Sequence, residues 1–305
     1  MFVSPRGSDR AGDGGVEHPF RTVGRAVAAL PSVIDRRYSI VLMPGVYSGP
    51  VDLSAKLGSV GLSSYATSAG RAPKSFVAIR ARRPGTVVID GHGRWSCVVA
   101  RQITVLVAGL TCRDPAPVGI DISQGSGMVD DVTVSGPAIA GIAVEHGQLF
   151  LGGDVRVVIV GDQAIGVSVR GASAAREGTL LNPDVRLKTR GGRIGVFVRD
   201  RSAFSVVGLR GDRNELAVDA AYFGVNVQEG SSFFAGKGVT VAVAGAHDAF
   251  IAQALSGIDA GNVRIERTTT GAHATKRSVV VLDIVSESAI ADRVDSDKSS
   301  SVIVD

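Results

Sequence analysis

Five times along the chain a glycine opens a short run of alternating aliphatic residues: Gly119-Ile-Asp-Ile, Gly141-Ile-Ala-Val, Gly166-Val-Ser-Val, Gly195-Val-Phe-Val and Gly224-Val-Asn-Val. The glycines lie 22, 25, 29 and 29 residues apart. A unit of this length cannot bury its apolar face alone and needs a neighbour of the same kind, so the repeat limits the fold more than any single motif. A second series, Val132-Thr-Val, Val155-Arg-Val, Val185-Arg-Leu, Val239-Thr-Val and Val263-Arg-Ile, interleaves with the first, and Phe204 to Leu209 fill its gap. Alternation over four to six residues, punctuated by Gly, Asp and Asn, marks half-buried strands joined by tight turns. Each period therefore holds at least two strands, and the near-constant period lets equivalent strands stack in register. The pattern predicts an all-β fold, a parallel β-helix. Ile120, Ile142, Val167, Val196 and Val225 would form one inward stack, and Ile122, Val144, Val169, Val198 and Val227 a second.

Upstream, Val23, Ala26, Val27 and Leu30 recur at helical spacing behind Thr22, and Pro31 stops the pattern. A short amphipathic α-helix here would cap the open apolar end of the first coil. The organisation this predicts is residues 1–54 as cap and first strands, 55–294 as coils, and 295–305 as a flexible tail. The VIV strand of that tail could pair with a neighbouring subunit, and the polar stretch 62–75 reads as a protruding loop. With 45% hydrophobic and 20% charged residues the chain is not intrinsically disordered. A net charge of +4 is too mild for nucleic acid without a clustered stripe. The densest basic patch, Arg71, Lys74, Arg80, Arg82 and Arg83, has no interleaved aromatics and reads as a solvated edge. No apolar run is long enough for membrane insertion. The opening MFVSPRGSDR carries no secretion signal, so the expectation is synthesis in the cytoplasm and display on a virion or particle surface. Cys97 and Cys112 are too few for a disulfide scaffold and fit no zinc spacing, which predicts two buried free thiols.

Several N-terminal segments carry a family resemblance. They are Phe2-Val-Ser-Pro with Gly7 and Asp9, Pro19-Phe20 with Thr22, Val41-Leu-Met-Pro44-Gly45-Val-Tyr47, and Val88-Ile-Asp90-Gly91-His-Gly93. Together they resemble the entrance coils of the pectin-lyase-like right-handed parallel β-helix proteins. The resemblance implies the architecture, a single-stranded right-handed parallel β-helix, which pectinesterase-like enzymes, polysaccharide lyases, epimerases and phage spike proteins share. The enzymatic motifs of that family are not matched. No segment offers the aspartate pair, Gln and Arg of a pectinesterase, and Asp130-Asp131 and Gly91-His92-Gly93 stand in the reverse of the polygalacturonase order, with no Arg-x-Lys after them. Asp90 to Trp95 looks like a structural coil of the family.

Two sets of side chains are candidates for chemistry. Asp131, Asp154 and Asp184 each immediately precede a strand of the second series, which predicts a stack about 4.8 Å apart. That approaches the ~5–5.5 Å of a retaining glycosidase pair, and such a stack could hold Ca²⁺, although Asp before a strand also closes turns. The second set faces outward from the glycine-headed strands. Asp121, Phe197 and Asn226 lie in one row, and Glu145, Arg170, Arg199 and Gln228 lie two residues on, a polar face with one exposed aromatic suited to glycan hydroxyls and carboxylates. The histidines His18, His92, His146, His247 and His273 show no ligand spacing, and spacing assigns no Ser/His/Asp set. The function expected is a homotrimeric virion spike or fibre that binds bacterial capsular or exopolysaccharide and other virion proteins. The alternative is a polysaccharide lyase, hydrolase or C5-epimerase. No cofactor is expected beyond a possible Ca²⁺.

Overall fold

The computed structural model describes residues 1–58, 75–177, 185–206, 214–236 and 238–304. The chain winds through three parallel sheets in turn, as a right-handed parallel β-helix. The first sheet begins with Phe2–Val3 and Arg37–Leu42, passes through Phe76–Ala81, Thr104–Ala108 and Ser126–Asp130, and ends at Ser301–Val304. The second begins at Gly45–Ser48 and Val87–Asp90 and continues through Thr111–Arg113 and Thr133–Pro137 to Val185–Arg190, Asn214–Asp219 and Val239–Ala244. The third carries the glycine-headed strands, Val118–Ser123, Ala140–Glu145, Ile165–Arg170, Ile194–Val198 and Phe223–Gln228. Long strands such as Gln148–Val160 and Gly257–Thr275 run through corners and serve more than one sheet.

The inward stacks form as the repeat predicts. Ile120 pairs with Ile142, Ile142 with Val167, Val167 with Val196 and Val196 with Val225, and the second stack follows two residues later. All ten side chains are fully buried. The glycine before each stack has a steric cause. It sits at the corner between the second and third sheets, where a Cβ on Gly119 would fall 2.5 Å from a methyl of Val134 and one on Gly195 2.1 Å from a methyl of Val218. At these rungs the corner closes because one partner lacks a side chain, and one rung beyond Gly224 the column takes nothing larger than Ala249.

The same corner overturns the expectation of free thiols. Cys97 occupies the glycine column, because the next residue, Val98, pairs with Ile120, and Cys112 occupies the valine column, because it pairs with Val134. The approach that forbids a Cβ elsewhere brings the two sulfurs into a Cys97–Cys112 disulfide across the interior of one coil. Both cysteines are fully buried.

The second strand series needs two corrections. Leu187, not Val185, stacks on Val155, so that strand is shifted by two residues from the sequence alignment. Phe204 belongs to the first sheet, in Ala203–Val206, and the second-sheet strand of its coil is Asn214–Asp219. Three strands fill each coil, and the third series, poor in Val-x-Val, was hidden by its variety.

A ladder of buried serines follows the turn from the third sheet to the first. Ser173, Ser202, Ser231, Ser256 and Ser278 each donate a backbone N–H to the hydroxyl of the next serine, from Ser202 down to Ser300, at 3.0–3.3 Å. The hydroxyls satisfy turn amides that lie between rungs and have no carbonyl of their own.

At the N-terminal end, the helix Val23–Ala28 buries Val23, Ala26 and Val27, and the Thr22 hydroxyl accepts the Arg25 N–H. Asp9 receives the N–H groups of Arg21 and Thr22 and the Thr22 hydroxyl at 2.7–2.9 Å, fixing the helix entrance. The buried Tyr47 hydroxyl reaches the carbonyls of Val3 and Met43, and desolvation pushes its pKa up to about 12. At the other end, the segment expected as a flexible tail is an added coil. Val279 to Leu282 pair in register with Ser301 to Val304, and Ser300 continues the serine ladder. The valines of VIV stack on the apolar rung beneath them, Val302 on Val280 and Val304 on Leu282. The predicted loop 62–75 lies outside the described residues except Ser75. No helix among the described residues is long and apolar enough to cross a membrane.

Candidate functional site

The register separates the two candidate sets. Asp131 and Asp154 do stand on adjacent rungs, since Thr133 pairs with Arg156. Asp131 has a left-handed backbone, φ 51°, and its Oδ1 accepts the Asp154 N–H at 2.9 Å. The Asp154 carboxylate is paired with Arg156, whose Nε lies 3.2 Å from Oδ1. Because of the two-residue shift, Arg186 stands opposite Asp154 on the next rung, and Asp184 lies outside the described residues. The two described aspartates thus close a turn and hold an arginine. Among the described residues no three His, Cys, Asp or Glu side chains converge as a metal site.

The outer face of the third sheet brings the second set together. Asp121, Ala143, Ser168, Phe197, Asn226 and Ile251 form one row on successive rungs. This row is less open than the alternation implied. Phe197, expected as an exposed aromatic, is buried, and so are Ser168, Asn226 and Ile251. Large side chains on neighbouring rungs close over small ones, which a one-strand alternation cannot show. Asn226 is 1% exposed, and its Oδ1 has no hydrogen-bond partner. Asp121 is desolvated and its carboxyl is held above the ordinary range, the pull of Arg101 opposing this and Glu145 reinforcing it.

The next row is open and polar. Glu145 pairs in register with Arg170 and Gln228 with Gln253, while Arg199 follows the paired Val198 between them. Rungs lie about 4.8 Å apart, so these side chains project at a regular interval along the solenoid axis. Arg170 Nη2 lies 3.9 Å from Glu145 Oε2, and the Gln228 amide donates to Gln253 Oε1 at 3.2 Å. Arg199 Nη2 lies 2.9 Å from Glu229 Oε1, and its Nε 3.4 Å from Asp200 Oδ1. Sequence reading did not single out Gln253, Asp200 or Glu229. The two acids follow the outward residues Arg199 and Gln228 at left-handed turn positions, φ 61° and 56°, and only the register places them side by side. A hydrogen bond to Glu229 holds the Asp200 carboxyl above its ordinary range, whereas Arg199 holds Glu229 below its own.

Comparison with known proteins adds little to this geometry. No family model and no curated protein matches the sequence. Among solved structures, the complex of XylC with xylose aligns at a TM-score of 0.46 and 9% identity, over 97% of this chain and 69% of that one. The A-module of the Azotobacter vinelandii mannuronan C-5 epimerase AlgE4 aligns at 0.27 and 11% identity, over 88% of each chain. The β-helix assignment rests on the strand register of the chain itself.

Proposed function

We propose that this protein binds an extended polysaccharide along the outer face of its third sheet. The observation that carries the reading is the in-register row of Glu145, Arg170, Arg199, Gln228 and Gln253, repeated at the rung spacing along the axis. The cations of the row are already paired, Arg170 with Glu145 in the row and Arg199 with Glu229 beside it, so the face offers a balanced set of donors and acceptors rather than a polycationic stripe. Such a surface suits a polymer of hydroxyls, with bidentate guanidinium contacts adding direction. A bacterial capsular or exopolysaccharide fits, and a homotrimeric virion spike is the setting we favour. The buried disulfide supports a working life outside a reducing cytoplasm.

A second reading, polysaccharide cleavage or epimerisation, is favoured by one observation. Asp200 and Glu229 bring two carboxylates side by side on adjacent rungs, two residues past the paired Val198 and Val227, with Arg199 reaching both. Incubation with capsular and exopolysaccharides, followed by gel filtration, separates the readings. Co-elution without shortening is expected, and Arg199→Ala with Gln228→Ala should weaken it about tenfold or more. Shortening abolished by Asp200→Asn would establish the enzyme instead, and neither co-elution nor shortening would end both readings.

A further inference from the structure

Ser48, Asp90 and His92 are separated in sequence but meet on the first two rungs of the second sheet. The strands Gly45–Ser48 and Val87–Asp90 pair in register, with Ser48 opposite Asp90. His92 follows Asp90 by two residues in a left-handed backbone, φ 51°, and donates its N–H to Asp90 Oδ1 at 2.8 Å. Its Nε2 lies 3.0 Å from Ser48 Oγ, and its Nδ1 lies 3.4 Å from Asp90 Oδ1. Asp90 is buried, and Arg113 grips its other oxygen through Nε at 3.0 Å and Nη2. The ring of His92 is thus held between a hydroxyl and an anchored carboxylate, while Ser48 and His92 themselves are exposed.

Ser48 also lines a cavity of about 640 Å³ between the N-terminal turn and the second sheet, together with Pro5, Ser8, Arg10, Arg21 and Val46. Asp9 is on the same wall, but its carboxylate is occupied by Arg21 N–H, Thr22 N–H and the Thr22 hydroxyl. The guanidinium groups of Arg10 and Arg21 therefore set the charge of the wall.

We propose that Ser48, His92 and Asp90 form a nucleophile, base and orienting carboxylate that hydrolyse carboxylic esters carried on negatively charged molecules. Ser48 Oγ attacks the ester carbonyl carbon as its proton passes to His92 Nε2. The tetrahedral intermediate collapses, the C–O bond to the alcohol breaks, and His92 returns the proton to the departing alkoxide. Water then attacks the acyl-serine by the same route, so ester and water become acid and alcohol. Asp90 does not touch the substrate; as a positioning residue it orients the ring and stabilises the imidazolium. The wall arginines suit an anionic substrate. This centre is on the second sheet and stands or falls apart from the glycan row on the third.

The test uses a fluorophosphonate probe, with 4-nitrophenyl acetate and 4-nitrophenyl hemisuccinate as neutral and anionic esters. The probe is expected to add to Ser48, read by peptide mass spectrometry, and the hemisuccinate to be cleaved at least tenfold more efficiently than the acetate. Ser48→Ala and His92→Ala, both at exposed positions, should each lower kcat/KM more than a hundredfold at unchanged melting temperature. Asp90→Asn should lower kcat at constant KM, and a raised KM at constant kcat would instead assign Asp90 to holding the coil. An unlabelled wild-type Ser48, or hydrolysis that survives Ser48→Ala, overturns the proposal.

Discussion

Thr189 faces the interior of the solenoid in an inward column, between Val134 and Val157 on one side and Val218 and Val243 on the other. It is buried, and its Oγ1 has no hydrogen-bond partner. Threonine and valine have nearly the same shape, so the hydroxyl gains no packing and loses its hydration. Thr189→Val is therefore expected to stabilise the protein by about 1–2 kcal/mol and raise its melting temperature by roughly 2 °C or more. Calorimetry checks this, and a lowered midpoint would mean that the hydroxyl has a partner in solution. Residues of this column also show how far single positions were legible. The glycines marked the repeat, but their cause lies in the backbone of the next rung and in a corner side chain, Val134 for Gly119, fifteen residues away, which only the folded corner brings within contact. Ser48 and His92 were illegible for the same reason, their meeting being set by a one-coil register.

Elements were legible in proportion to the regularity of their apolar pattern. The five glycine-headed third-sheet strands, each a glycine followed by alternating Ile or Val, appear where the sequence put them, whereas the second-sheet strand at Val185 slipped by two because Val-x-Leu fits either register. The last strand, expected in a flexible tail, has a serine-rich approach that in isolation carries no apolar pattern. Those serines are hydrogen-bonded, and Asp297 is the clamp. Its carboxylate accepts the Lys276 N–H at 2.6 Å and the Ser299 N–H and hydroxyl at 3.0 and 2.8 Å. These bonds, the Lys276 N–H first, hold its pKa well below the ordinary 3.8. A depressed carboxylate contributes stability that is present above its unfolded pKa and lost as pH falls through the folded one. The strand Ser301–Val304 should therefore stay protected from hydrogen exchange at neutral pH and open on acidification below pH ~4. In Asp297→Ala the protection should already be reduced at pH 7 and change little with acid. Equal acid sensitivity in variant and wild type would remove Asp297 as the cause.

Across the whole molecule, each coil packs only on the coils beside it, so stability accumulates locally and a weak coil is not rescued by distant ones. The candidate glycan surface follows from the same arrangement, since a row exists only when successive coils keep register. That is why the polar face could be read from the repeat while its burial, its paired acids and its extent could not. The Cys97–Cys112 coil is where the chain replaces the corner packing with a covalent link. Cys97→Gly with Cys112→Val would recreate the pair that Gly119 and Val134 form one rung on, without the bond. Closing a loop of separation 15 is worth about 3 kcal/mol. The double variant should therefore fold, with the circular dichroism of the parent and a denaturation midpoint lowered by about that much stability. Cys97→Ala with Cys112→Val keeps a Cβ against the valine methyls and should lose about 1–3 kcal/mol more, as overpacked cores do. Hydrogen exchange should place the added loss in Val98–Arg101 and Thr111–Arg113. If both variants lose the same stability, the corner tolerates a Cβ, and the recurring glycine needs another explanation.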